Sequence, residues 1–94
     1  MASVFIKHRV ADFAAWKSAF DDHEAARRQS GMTAHSLHRD ADDPNVVIIA
    51  FRVQDIARAK EFTSSDDLRE AMQQAGVQGQ PEFWFTEDVE DKTY

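Results

Sequence analysis

The stretch VVIIAFRVQDIA, residues 46–57, decides the fold of this chain. Its β-branched and aromatic first part predicts a buried strand over Val46–Val53. Asp55 then stands where a helix N-cap accepts hydrogen bonds from the free amides of the next turn. The pattern is repeated, because RVADFA at 9–14 echoes RVQDIA, and QSGM at 29–32 is echoed by QAGV at 74–77. Two echoes at nearly equal offsets predict a duplication of two βαβ halves.

The first half follows from the periodicity of its apolar residues. Alternation predicts a strand over Val4–Val10, with His8 on its apolar face. From Phe13 the period becomes helical, and Asp12 is the expected N-cap. We expect a single helix from there to Gly31, which ends it as a residue able to adopt a left-handed conformation.

The second half repeats the order with one interruption. Thr33–Asp40 predicts a strand, and the composition of residues 40–45 predicts a turn. The second helix is expected to break at Thr63–Ser65, because hydroxyl residues favour caps over helix interiors. Pro81 is expected to open the last strand, Glu82–Thr86. The order β-α-β-β-α-β predicts an α+β, ferredoxin-like domain with a four-stranded antiparallel sheet.

Length, charge and composition restrict the class of protein. We expect 94 residues to form one domain, with a core at about 4–87 and an acidic tail at 88–94. The net charge of −6 argues against binding nucleic acid or an anionic membrane surface. The chain has no cysteine, which excludes disulfides and thiol chemistry and suits a cytoplasmic protein. No signal-peptide pattern or membrane-spanning run is found in the sequence.

Two of the predicted strands are apolar on both faces. Val46–Phe51 has no polar face, and the last strand sets Trp84 against Phe83 and Phe85. A half-exposed antiparallel sheet normally alternates cleanly, and a bare apolar face usually marks an interface. With both helices on one face of the sheet, we expect a homodimer in which two sheets pack face to face. The alternative is a monomer with an irregular surface.

These features resemble a known group of proteins. The element order, the two-faced strand Val46–Phe51 and the broken helix with SSDDLREAM at 64–72 resemble the dimeric α/β-barrel superfamily, and within it the antibiotic biosynthesis monooxygenase-like domains. The resemblance covers about residues 4–87 and implies a pair of domains forming a dimeric α/β barrel. Because the superfamily includes cofactor-free monooxygenases, haem-degrading enzymes, cyclases and isomerases, the fold does not select a reaction.

The resemblance can be followed at three positions. Haem-degrading members have Asn at the place of His8, a Trp near Phe51 and a haem-ligating His near Met72. All three positions differ here. We therefore expect no haem, and we predict no other cofactor.

In this fold the ligand cleft lies between the helices and the helix-facing side of the sheet. The resemblance thus implies an aromatic-lined cleft for a flat hydrophobic molecule. We expect His23 and His8 to be its catalytic residues, since imidazole titrates near neutrality and can act as a general base or orient a phenolic ligand. The predicted ligand-binding residues are Trp16, Phe20, Phe51, Leu68 and Met72. The alternatives are hydrogen-bonded structural histidines and aromatic residues that only fill the core.

Other residues that could hold a metal are less well placed. His35 and His38 are three apart on a strand, which sends them to opposite faces, so we expect no metal site. The leading hypothesis is a small-molecule-binding dimer acting as a cofactor-independent monooxygenase on an aromatic or polyketide-like substrate. The alternative is a non-catalytic binding or stress-associated dimeric module. Whether the protein is an enzyme stays open at this point.

Overall fold

The computed structural model describes residues 1–94 and contains four strands and four helices. In chain order these are β1 Ala2–Val10, α1 Phe13–Asp22, α2 Glu24–Gln29, β2 Met32–Arg39, β3 Val46–Val53, α3 Ile56–Thr63, α4 Asp66–Gln74 and β4 Val77–Glu87. No helix is both long enough and apolar enough to cross a membrane.

The strands form one antiparallel sheet in the order β2-β3-β1-β4. Val4 of β1 lies opposite Phe51 of β3 and Phe85 of β4, which sets the register of the central strands. Alternate residues of β1 and β3 are buried on the helix-facing side, where the hydrophobic core lies. The predicted α+β, ferredoxin-like architecture is confirmed.

The two halves begin their helices in the same way. Asp12 and Asp55 have backbone angles of φ −147°, ψ 118° and φ −147°, ψ 117°. The carboxylate of Asp12 accepts from the Ala15 amide at 3.2 Å, and that of Asp55 accepts from the Ala57 amide at 2.8 Å. Both predicted N-caps are confirmed with nearly identical backbone angles, although Asp12 accepts from the amide three residues on and Asp55 from the amide two residues on.

The halves also end their helical regions alike. Gly31 and Gly76 have φ of +91° and +87°, which favours glycine over residues with a side chain. The Gln54 amide donates to the Gly31 carbonyl, and the Ala11 amide donates to the Gly76 carbonyl, both at 3.0 Å. Each half is therefore tied to the glycine of the other by an equivalent hydrogen bond, as the duplication predicts.

The prediction of one helix from residue 13 to Gly31 is wrong, because the helix breaks at His23. His23 has φ −95° and ψ 11°, and its amide donates to the Phe20 carbonyl at 3.2 Å. The same carbonyl accepts from the Arg27 Nη1 atom at 2.6 Å. A carbonyl near a helix end that is satisfied by a tightened turn and a side chain lets the helix stop there.

The predicted start of the last strand is also wrong, since β4 begins at Val77 and includes Pro81. The β1–β4 register shifts between Lys7, opposite Glu82, and Arg9, opposite Gln78. The extra residues of β4 form a bulge on an edge strand, where a proline does not interrupt the ladder.

No helix covers the side of the sheet away from the core. Only the residues after β4 contact it, at one end, where Asp88 accepts from Ser3 at 2.6 Å and lies 3.6 Å from Arg52. Phe5 and Trp84 lie opposite each other there and are 39% and 46% exposed. Ala50 pairs with Phe5, and Ile48 lies two residues along on the same side. We call Phe5, Ile48, Ala50 and Trp84 the open-face patch.

Candidate functional site

A small cavity lies between the helices and the helix-facing side of the sheet. Its volume is about 70 Å³, and twelve of its fifteen lining residues are hydrophobic. The cavity wall includes every residue that the sequence predicted for the site: His8, Trp16, Phe20, His23, Phe51, Leu68 and Met72. The fold brings these residues together, while their roles in binding and catalysis stay predictions.

Aromatic side chains form one wall of this cavity. Trp16 and Phe20 are one turn apart on α1 and stack with ring centroids 4.9 Å apart. The imidazole of His8 lies 5.4 Å from the Trp16 ring, and Phe51 lies 6.3 Å from Phe20. The sheet and α1 thus present a continuous aromatic surface, on which a flat ring can stack.

His8 is a buried polar residue without a partner. It lies opposite Val47 in the central part of the sheet and is 5% exposed. Neither Nδ1 nor Nε2 has a hydrogen-bond partner. Burial lowers the pKa of His8 to about 4, so the imidazole is neutral at pH 7. Burying the two ring nitrogens of His8 without hydrogen bonds costs free energy of folding. Both nitrogens are therefore available to bind a polar group in the cavity.

His23 lies at the edge of the same cavity. It occupies the break between α1 and α2 and is half-buried. Its ring stacks on Phe62 of α3 with centroids 6.2 Å apart. This contact joins the two helical halves beside the cavity, so His23 is better placed to border a ligand than to lie beneath it.

The structure adds Arg27, which the sequence-based site did not include. Arg27 is 6% exposed, and its Cζ atom lies 3.7 Å from the centroid of the Phe20 ring. Burial lowers the pKa of the Arg27 guanidinium from its usual value. The signal was present in the sequence, because Arg27 follows Phe20 and His23 at helical spacing.

The remaining histidines lie apart from each other. His35 is opposite Phe51 and packs edge-on against Phe20 at 5.1 Å, on the helix-facing side. His38 is opposite Ile48 on the other side of the sheet. The predicted opposite orientation is confirmed, and no group of three or more potential metal ligands occurs in the chain.

The chain is similar in structure to several solved proteins. One from Bordetella bronchiseptica, assigned to the antibiotic biosynthesis monooxygenases, superposes with a TM-score of 0.77 at 14% identity, covering 94% of this chain and 96% of that one. A protein from Caulobacter crescentus with the same assignment superposes with a TM-score of 0.71 at 19% identity, covering 95% of this chain and 90% of that one. SnoaB, a cofactor-independent oxygenase from Streptomyces nogalater, superposes with a TM-score of 0.72 at 17% identity, covering 96% of this chain and 94% of that one.

Neither a family model nor a curated protein matches the sequence. The identities above are low, so these similarities show the fold alone. The chain has the fold of the antibiotic biosynthesis monooxygenase domains over nearly its whole length. This confirms the fold of the single chain that the sequence resemblance implied, while the pairing of two domains stays a prediction.

Proposed function

We propose that this protein, which has the antibiotic biosynthesis monooxygenase fold, is a cofactor-independent monooxygenase acting on a compact aromatic substrate. The observation that carries the proposal is His8, a buried neutral imidazole with both nitrogens unpaired in an aromatic-lined cavity. A base in a dry cavity is what the protein contributes when the substrate itself reacts with oxygen. The shared fold of SnoaB, a cofactor-independent oxygenase, supports the proposal.

The reaction needs no external reductant. A phenolic or enolic substrate transfers its hydroxyl proton to His8, and the electron-rich ring carbon then forms a bond to O₂. His8 returns the proton to the resulting peroxide, whose O–O bond breaks with loss of the hydrogen on that carbon. One oxygen atom becomes a ring carbonyl and the other leaves as water, so the substrate is oxidised to a quinone by four electrons and O₂ is reduced by four.

The low pKa of His8 makes it a weak base in the empty cavity. Negative charge that develops on the substrate beside the imidazole favours the protonated form. Proton transfer is therefore coupled to the presence of an acidic substrate. Without such a substrate, the imidazole of His8 stays neutral at pH 7.

The size of the cavity favours a substrate with one ring over a polycyclic polyketide. Its volume of about 70 Å³ is below the roughly 150 Å³ of an apolar cavity that holds benzene. Leu68 and Met72 line it from α4, and Met72 is flexible and half-buried. We propose that these two side chains move when the ligand enters, while Trp16, Phe20 and Phe51 stack against its ring. His23 then borders the entrance and orients the exposed edge of the ligand.

We also propose that two copies pair through their open-face patches. Phe5 and Trp84 present neighbouring aromatic rings to solvent in the single chain, and Ile48 and Ala50 are half-buried beside them. Contiguous apolar surface of this kind typically marks a protein interface. The active assembly is then a homodimer with one cavity in each protomer, on the far side of each sheet from the interface.

Oxygen uptake tests the proposed reaction. Purified protein is mixed with a panel of hydroquinones, single-ring phenols and anthrones in metal-free buffer, and oxygen consumption is compared with quinone formation. We expect single-ring substrates to react and His8→Leu to lower turnover by about a hundredfold or more. His38→Gln, on the other side of the sheet, is the matched control and keeps full turnover. Equal turnover by the wild type and His8→Leu would remove His8 from the mechanism.

The small cavity also favours a second candidate, a non-catalytic binding module. A cavity of about 70 Å³ holds little more than a few water-sized groups unless it opens. The two candidates differ in one measurement. Calorimetric binding of a phenol without oxygen consumption in the assay above would establish the binding module.

A further inference from the structure

The proposed reaction makes no use of Arg27, although it is a buried cation in the same cavity wall. The guanidinium has five N–H donors. One of them, on Nη1, donates to the Phe20 carbonyl at 2.6 Å. The only fully buried side-chain nitrogen or oxygen atoms without a partner are those of His8. The remaining donors of Arg27 are therefore not sealed inside the protein, and the residue is part of the cavity wall.

No acidic side chain forms an ion pair with Arg27. Glu24 and Asp21 are near enough for their charges to oppose the fall in the pKa of Arg27. Each of them pairs with another cation, Glu24 with Arg28 at 3.2 Å and Asp21 with Lys17 at 2.6 Å. The cost of burying the guanidinium outweighs the effect of these two acids, since the pKa of Arg27 is lowered, and a bound anion in direct contact offsets that cost.

The polar groups of the cavity lie at different ends of its aromatic surface. His8 packs on Trp16 with ring centroids 5.4 Å apart, Trp16 stacks on Phe20, and the Arg27 guanidinium covers Phe20 at 3.7 Å. Only His8, His23 and Arg27 interrupt the apolar lining. An aromatic ring that enters between His8 and Arg27 can thus offer one polar substituent to each of them.

We propose that Arg27 is the specificity-determining residue of this cavity and that it selects aromatic ligands bearing an anionic oxygen group, a carboxylate or a phenolate. The guanidinium fork matches a carboxylate and forms charge-assisted hydrogen bonds with either anion. This inference rests on the proposed function, because it names the substrate class of the same site. It requires only binding and no turnover.

The test compares benzoate with benzamide, its neutral counterpart of nearly the same shape, by isothermal titration in anaerobic buffer. On the wild type we expect benzoate to bind about tenfold or more tightly than benzamide. Arg27→Met keeps an unbranched apolar side chain in the cavity wall and removes the charge, so it abolishes this preference and leaves benzamide binding within about twofold. Arg69→Gln, which removes an exposed cation of α4 outside the cavity wall, is the control and leaves both affinities unchanged.

A second measurement uses only the wild type and applies even where Arg27→Met does not fold. The anion of 4-nitrophenol absorbs visible light, so its ionisation in the cavity is followed directly. We expect the bound phenol to ionise at lower pH than the free phenol. Equal affinity for benzoate and benzamide, or ionisation of the bound phenol at higher pH, overturns the inference. Charge-selective binding without oxygen uptake overturns only the proposed reaction, and oxygen uptake without charge selectivity overturns only the role of Arg27.

Discussion

The unpaired imidazole of His8 affects stability as well as the proposed chemistry. Burial lowers its pKa from 6.5 to about 4 in the folded chain, whereas the unfolded chain titrates near the ordinary value. Between these two pH values the unfolded state binds a proton that the folded state does not. Stability therefore falls as the pH is lowered through this window, and it is fully retained above it. One pKa unit corresponds to about 1.4 kcal/mol, so the total effect is about 3 kcal/mol.

We predict that His8→Leu removes this dependence. Urea unfolding at pH 7, 5.5 and 4.5 measures it as the difference in the free energy of unfolding between the wild type and the variant. The advantage of His8→Leu over the wild type should grow by about 2–3 kcal/mol from pH 7 to 4.5. His38→Gln, in which an exposed ring is changed, should follow the wild type. Parallel pH profiles for the wild type and His8→Leu would contradict the burial argument.

The sequence predicts the residues of the site where the spacing of apolar residues shows which face of a strand or helix is buried. His8 and Phe51 follow from alternation along strands, and Trp16 and Phe20 follow from helical spacing. Arg27 was missed as a site residue, because a charged side chain at helical spacing is ordinarily solvated. Its burial depends on the helix break at His23 and on the Phe20 carbonyl that it satisfies, and neither is visible in the pattern of hydrophobic residues.

At the scale of the elements, the duplicated N-caps make a quantitative prediction. Asp12 and Asp55 have the same backbone conformation, and each carboxylate accepts one hydrogen bond from an amide of the first helical turn. Asp12→Ala and Asp55→Ala should therefore each lower the free energy of unfolding by about 1 kcal/mol, measured by urea unfolding. The double variant should lose about the sum, since the two caps share no partner. If the losses in free energy of unfolding for the two single variants differ by more than about 1 kcal/mol, the two caps have similar backbones but do not stabilise the protein equally.

The break in the second helical region gives a matched pair of neighbouring serines. Ser65 accepts from the Leu68 amide at 3.2 Å and starts α4, whereas Ser64 only donates, to carbonyls at the end of α3. Ser65→Ala should lower the free energy of unfolding by about 1 kcal/mol, and Ser64→Ala should lower it by less than half of that. Because Leu68 lines the cavity, Ser65→Ala should also weaken benzoate binding, measured by titration calorimetry.

Element boundaries were predictable where a local signal marks them. The caps at Asp12 and Asp55 and the break before Ser65 are local chemistry, and each was found. The start of β4 at Val77 was not, because it depends on pairing with β1 across a bulge that accommodates Pro81. Proline has no N–H to donate, so it ends a strand only where the ladder needs a donor at that position. An edge strand leaves part of its N–H groups unpaired and can therefore include a proline.

At the scale of the whole molecule, the two faces of the sheet have different tasks. The helix-facing side carries the core and the cavity, so its apolar residues are accounted for within one chain. The other side carries the open-face patch, which no helix covers and in which Phe5 and Trp84 are exposed. A sequence can indicate that a strand is apolar on both faces, but it does not show which partner packs on the face away from the helices. Two-fold pairing is the common solution, because the same patch then serves both partners.

The proposed homodimer makes the final prediction. In the paired assembly Trp84 is buried, so Trp84→Glu places two carboxylates in an apolar interface at a cost of several kcal/mol. We expect the wild type to sediment as a dimer at micromolar concentration and Trp84→Glu to sediment as a monomer, with Phe5→Glu behaving alike because the two side chains are paired neighbours. Ala25→Glu, exposed on α2, is the control and remains a dimer. Because the cavity lies on the opposite side of the sheet, the monomeric variants should still bind benzoate. Sedimentation of Trp84→Glu as a dimer would show that the two copies pair through another surface.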